Sequence, residues 1–143
     1  MAYDIQVVID SQDPHNLADW WADALGWEVE RQDEAFIRSL IERGDAGEDD
    51  TAFHRGALVW KDGAAIRHPG GLRRAPRVLF QLVPEPKTTK NRVHLDVRAG
   101  AESIDAEVER LVGKGAKVLH EGRLGPTRWV TIADPEGNEL CIA

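Results

Sequence analysis

Five side chains in the second half of this chain have types and spacings suited to chemistry. His94 and Asp96 stand two apart in "NRVHLDV", and Glu139 and Cys141 stand two apart in "NELCIA". Residues two apart on a β-strand project to the same face, about 7 Å from one another along the strand. Imidazole and carboxylate can hold a metal ion or move a proton. A thiolate can bind a soft metal, but a free cysteine has a pKa of about 8.5 unless a metal or a cation lowers it. Against that chemistry stands a plainer expectation for Cys141, the only cysteine in the chain: a packed, inert residue, as free cysteines commonly are. Trp129 shares "RWVTIAD" with Thr131 and faces either a ligand or the core. In the first half, Gln6 in "YDIQVVID" and Gln81 in "RVLFQLV" bring amides that can donate and accept, which suits a polar organic ligand.

These residues need elements to position them. In "YDIQVVID" Ile5, Val7 and Ile9 share one face and Asp4, Gln6, Val8 and Asp10 the other, a period of two that predicts a strand covered on one side. Asp13-Pro14 then reads as N-cap and first helical residue. Leu17, Trp20, Trp21, Ala24 and Leu25 follow at helical spacing, and Gly26 stops the helix. "WEVE" begins a second strand. Residues 34–44, "EAFIRSLIERG", predict an extra helix, with "DAGEDD" after it as an acidic loop. "GALVWKDG" reads as a short strand, "AAIRHPGGLRRAP" as an exposed Gly/Pro loop, and "RVLFQLV" as a strand. "PEPKTTKN" is the best internal boundary.

After that boundary the pattern restarts. "NRVHLDV" alternates, with Val93, Leu95 and Val97 on one face. A helix with Ile104, Val108, Leu111 and Val112 inward ends in "GKGAKV", and "KVLHEG", "RWVTIAD" and "NELCIA" supply three strands. Gln6 to Gly26 spans 20 residues and His94 to Gly115 spans 21. Both spans open on a polar residue opposite the apolar stripe, cross a helix to a glycine and enter a new strand. The chain thus reads as a repeat, βαβββ followed by βαβββ, within one domain over 1–143: module one about 1–84, module two about 91–143. Helices would cover one sheet face, and the face with Gln6 and His94 would curve around something.

Bulk numbers narrow the function. The 25 acidic and 18 basic residues leave a charge of −7, which argues against a nucleic-acid partner. No apolar run approaches a membrane span, the N-terminus has no secretory pattern, and a single cysteine fits a reducing compartment. The expectation is a cytoplasmic protein with no membrane partner.

"DPHNLADWWADALGWEV" is similar to the first helix of the vicinal oxygen chelate superfamily. "VPEPKTTKNRVHLDV" resembles the start of that superfamily's second module, and "WVTIADPEGNELCIA" its closing hairpin, in the glyoxalase-like branch. The resemblance covers nearly the whole chain. It implies an α+β fold of two βαβββ modules forming a cupped, partly open barrel, the fold shared by glyoxalases, bleomycin-resistance proteins and dioxygenases. Metal-using members place four ligands on inner strand faces: His or Gln, then Glu, His and Glu. Carried over, these positions are Gln6, Gln81, His94 and Cys141. Neither carboxylate of the family pattern is present, so the resemblance implies a metal at Gln6, Gln81 and His94 with a non-standard last ligand. The ion would be Zn, Ni, Fe or Mn, or there is none.

Three function classes remain open: an interaction module whose cup is vestigial, disfavoured because burying the polar cup residues without a ligand or water carries a desolvation cost, and two that use the cup. One is a lyase or isomerase of the glyoxalase-like type, with Glu139 or His94 as candidate catalytic groups. Its small oxygenated ligand would be lined by Gln6, Gln81, His94, Asp96, Trp129, Glu139 and Cys141. The other is a metal-free protein that binds an antibiotic or natural product in the same cup. The family often pairs such chains, so a homodimer is expected.

Overall fold

The computed structural model describes residues 1–143, which form two units, Met1–Pro84 and Glu85–Ala143. In the first unit the alternating residues become strand β1, Val7–Ser11. The Ser11 hydroxyl accepts from the Asp13 N–H at 3.0 Å and turns the chain into helix α1, Pro14–Leu25. Asp13, expected to cap that helix, makes no side-chain bond to its backbone. Its carboxylate accepts from the Asn16 amide at 2.6 Å instead. Gly26 ends the helix in the left-handed region, φ 67°, where a side chain would be strained. Leu17, Ala18 and Trp21 are buried, and the Trp21 ring lies 6.1 Å from Phe80.

The sheet under α1 contains β1, β2 (Glu28–Val29), β5 (Gly63–Arg67) and β6 (Val78–Leu82), in the order β1-β6-β5-β2. β1 runs parallel to β6 and the other pairs are antiparallel. Val7 pairs with Val78 and Ile9 with Phe80 on the helix face, whereas Asp10 and Gln81, also partners, project to the other face. The segment expected to be a loop from Ala64 is a strand as far as Arg67. Its Gly/Pro tail masked a buried stretch, Ala64, Ala65 and Ile66. α1 packs over β5.

An insertion separates β2 from β5. It holds α2 (Glu34–Glu42), a 3-10 turn (Glu48–Asp50) within the stretch expected to be an acidic loop, and a hairpin of β3 (Thr51–His54) and β4 (Ala57–Trp60). β3 escaped the sequence reading. Its turn is Arg55–Gly56, with φ 49° and 81°, the two positive values of a type I′ hairpin turn. Asp33 caps α2 by accepting from the Phe36 N–H at 3.0 Å, and Ile37 is fully buried. Gln32 staples the insertion to the sheet: its oxygen accepts from the Trp60 N–H at 2.7 Å and its amide donates to the Gly63 carbonyl at 2.8 Å.

The second unit repeats the plan without an insertion: β7 (Leu95–Val97), α3 (Ile104–Gly113), β8 (Lys117–Leu124), β9 (Thr127–Ala133) and β10 (Glu139–Ile142). The order is β7-β10-β9-β8, with β7 parallel to β10. Val130, Ile132, Leu140 and Ile142 are buried on the helix side, where Arg128 reaches Asp105 of α3 at 2.8 Å. Asp134 shapes the closing turn, its Oδ1 accepting from the N–H groups of Glu136 and Asn138 at 2.8 and 2.9 Å. Three apolar residues depart from expectation: Ile5 and Val93 precede their strands and are exposed, and Val112 points outward from α3.

Candidate functional site

Register builds a polar row across the second sheet. Asp96 of β7 pairs with Cys141 of β10, Cys141 with Thr131 of β9, and Thr131 with His120 of β8. Paired residues share a face, so this row lies opposite the apolar stripe that meets α3. His94, one residue before β7, joins the row from below. Its Nδ1 lies 3.6 Å from the Cys141 sulfur and 3.5 Å from the Asp96 carboxylate. The Thr131 hydroxyl lies 3.3 Å from the same sulfur. The three potential ligand atoms of His94, Asp96 and Cys141 all fall within 4.8 Å of one another.

Burial grades this group. Cys141 and Thr131 are each 3% exposed, whereas the side chains of His94 and Asp96 are 43% and 61% exposed. The thiol is therefore the floor, and the imidazole and carboxylate are the rim. Burial pushes the Cys141 thiol up from its ordinary pKa and the Asp96 charge adds to this, while the Thr131 hydroxyl pulls the other way. The sulfur is a neutral thiol at pH 7 unless a cation is brought to it.

Glu139 shares the strand and the face of Cys141 but is engaged elsewhere. Its carboxylate accepts from the Asn91 N–H, pairs with Lys90 at 3.2 Å and lies 3.9 Å from Lys87. Burial pushes this carboxyl up, but the Asn91 N–H and the two ammonium groups outweigh it and hold the pKa below the usual range. Glu139 thus anchors the segment that leads into β7. Trp129 lies on the face of Thr131, with its ring over β8: a Cβ on Gly122 would come within 2.2 Å of it. Gly122 is what lets the indole lie flat there.

In the first unit, Gln6 lies just before β1. Its side-chain oxygen, the atom a metal would need, accepts from Arg77 at 2.9 Å, and Arg77 in turn holds both Glu30 oxygens at 2.9 Å. A guanidinium at that oxygen opposes a metal ion there by charge. Gln81 is exposed on β6, in register between Asp10 and Gly63. The structure therefore gathers His94, Asp96 and Cys141, and gives Gln6 and Glu139 cationic partners. Thr131, Arg77, Lys90 and Asn91 were missed from sequence. Only Thr131 had a signal, its alternation with Trp129.

Glu139→Gln keeps the shape and removes the charge. It should cost about 1.5–3 kcal/mol at pH 7, the usual worth of hydrogen bonds to a charged group. A carboxyl whose folded pKa is depressed stabilises the fold above its unfolded value, near 4.5. That stability is lost as pH falls through the folded value. Urea unfolding should show the gap between wild type and variant shrinking below pH 4.5; a gap independent of pH would mean the charge plays no part.

Comparison with known proteins agrees with this architecture. The sequence profile of the glyoxalase-like domain matches residues 6–143. No protein of curated function matches the sequence. Among solved structures, the chain resembles fosfomycin resistance protein FosX of Listeria monocytogenes, complexed with Mn(II) and a dihydroxypropylphosphonic acid. That match has a TM-score of 0.65 at 11% identity, over 99% of this chain and 91% of that one. A hypothetical protein from S. aureus matches with a TM-score of 0.62 at 13% identity, over 99% and 96% of the two chains. A glyoxalase/bleomycin resistance protein/dioxygenase from Alicyclobacillus acidocaldarius matches with a TM-score of 0.55 at 11% identity, over 98% and 89%. Identities this low speak for the fold alone, the α+β arrangement of βαβββ units expected from the sequence. With the profile spanning nearly every residue, the chain belongs to the glyoxalase-like domain family of the vicinal oxygen chelate superfamily.

Proposed function

We propose that the polar face of β7, β9 and β10 binds a small oxygenated organic molecule, and that His94, Asp96 and Cys141 hold a divalent metal ion there. The observation that carries this reading is the convergence of one imidazole, one carboxylate and one thiol within 4.8 Å. Three such donors leave a coordination position for a ligand oxygen, as catalytic zinc sites do. A set with nitrogen and sulfur favours Zn, then Ni or Fe, over Mn, which prefers oxygen. The metal-bound FosX relative supports an ion on this fold, although the donors here differ from the family's two carboxylates.

A bound ion would supply Lewis acidity toward a ligand with adjacent oxygens. The chain's own residues would do the rest. Cys141 fixes the ion at the floor, with Thr131 orienting its sulfur. His94 and Asp96 hold it from the rim, where ligand can reach it. Glu139 is tied to Asn91 and Lys90, so it does not carry protons in this reading. That role falls to the free Nε2 of His94 or the second oxygen of Asp96, and the reaction class is a lyase or isomerase. A second reading, metal-free binding of an antibiotic or natural product, is favoured by the Arg77 guanidinium on Gln6.

Metal analysis of protein purified without chelator separates the two. About one zinc per chain is expected, lost in His94→Ala and Cys141→Ser with the circular dichroism unchanged. A metal-free wild type that still shows ligand-induced thermal shifts would overturn the metal reading and select the second.

We also propose that the chain pairs as a homodimer. Tyr3, Ile5 and Val8 are exposed along the first strand and its approach, and β1 is an edge strand of its sheet, a position prone to association. Sedimentation velocity should give a dimer; a monomer at high concentration would reject it. No helix is long and apolar enough to cross a membrane, and the charge of −7 disfavours nucleic acid.

A further inference from the structure

The insertion between β2 and β5 builds a cavity of its own, about 400 Å³ in volume. From α2 come Arg38, Ile41 and Glu42, which stand at i, i+3 and i+4 and so form one stripe of the helix. From the hairpin come Phe53 and Leu58, directly paired across β3 and β4. Glu48 of the 3-10 turn completes the rim. Leu58 is 5% exposed and Phe53 is 71% exposed, so an aromatic ring stands open above a buried aliphatic floor. A ligand that covers the ring and rests on that floor would gain the burial of both apolar surfaces.

The charges at the mouth say what would cover it. Arg38 is already neutralised: its guanidinium gives Nε and Nη2 to one Glu34 oxygen at 3.2 and 2.7 Å. Glu42 and Glu48 form no ion pair. The rim therefore carries two uncompensated negative charges beside an exposed aromatic face. Carboxylates and a π-face both attract a cation, and an apolar floor attracts a hydrocarbon body. The volume lies in the range of small-molecule sites, about 300–1,000 Å³.

We infer that this cavity is a second binding site, for a small amphipathic organic cation. Its ammonium group lies between Glu42, Glu48 and the Phe53 ring, and its apolar body rests on Ile41 and Leu58. All the residues belong to the insertion, so the inference does not depend on the polar face of the second unit.

The test is a ¹H–¹⁵N NMR titration of the full chain with benzyltrimethylammonium, with benzenesulfonate and benzyl alcohol as anionic and neutral controls. Saturable shifts are expected at Arg38, Ile41, Phe53 and Leu58, stronger for the cation than for either control and weakened by salt. Glu42→Gln and Glu48→Gln, both at exposed positions, should each weaken binding about threefold. Phe53→Ala should weaken it further, and His94→Ala should leave it unchanged. Absence of saturable shifts, equal binding of benzenesulfonate, or indifference to both glutamine substitutions would overturn the inference. Shifts at these residues that grow with protein concentration in the absence of the probe would assign the cavity to a second copy of the chain, and would overturn it too.

Discussion

Parallel pairing of the first and last strands governs each unit. In the second unit β10 lies between β7 and β9, and all four of its residues are buried. Alternation along β10 sends Leu140 and Ile142 toward α3 and sends Glu139 and Cys141 the other way. A slip of one residue would exchange the two faces, placing a carboxylate among Val130 and Ile132. The hydrophobic contacts with α3 therefore fix the register, and the register alone places Cys141 between Asp96 and Thr131. The same topology in the first unit sets β6 between β1 and β5, with Phe80 against Trp21 and Gln81 on the opposite face.

Two buried acids on one strand face are treated in opposite ways. Glu139 has lysines and a backbone N–H, and its charge is stabilised. Cys141 has a hydroxyl, an imidazole and a nearby carboxylate, and its neutral form is favoured. The first arrangement uses a charge to hold the chain entering β7. The second favours a protonated thiol, so in the proposed site metal capture would be coupled to loss of that proton. Thus Glu139 is held by Asn91, Lys90 and Lys87, whereas Cys141 lies beside His94, Asp96 and Thr131, the first two being its partners in the proposed metal site.

Much of the fold was legible in local pattern. Period-two alternation located β1 and β7, helical spacing located α1, and the recurrence after "PEPKTTKN" revealed the repeat. β5 was not legible, because its alanines carry little strand signal and "RHPGG" follows at once. Its strand character comes from burial under α1, a tertiary cause. β3 was hidden likewise, since its turn residue Arg55 is not one that usually announces a left-handed conformation. At the site, alternation placed Asp96 with His94 and Glu139 with Cys141. It could not show that Lys90 and Asn91 claim Glu139, or that Arg77 claims the Gln6 oxygen. Those partners come from loops and strand ends whose pairing no local period records.

As proposed, Cys141, His94 and Asp96 would make a mixed nitrogen, oxygen and sulfur metal site in place of the carboxylates of the family pattern. X-ray absorption at the zinc edge of zinc-loaded protein reads the donor atoms themselves. One sulfur scatterer is expected at about 2.3 Å beside nitrogen and oxygen at about 2.0–2.1 Å, with the sulfur lost in Cys141→Ser. A first shell of nitrogen and oxygen alone in the wild-type protein would contradict it.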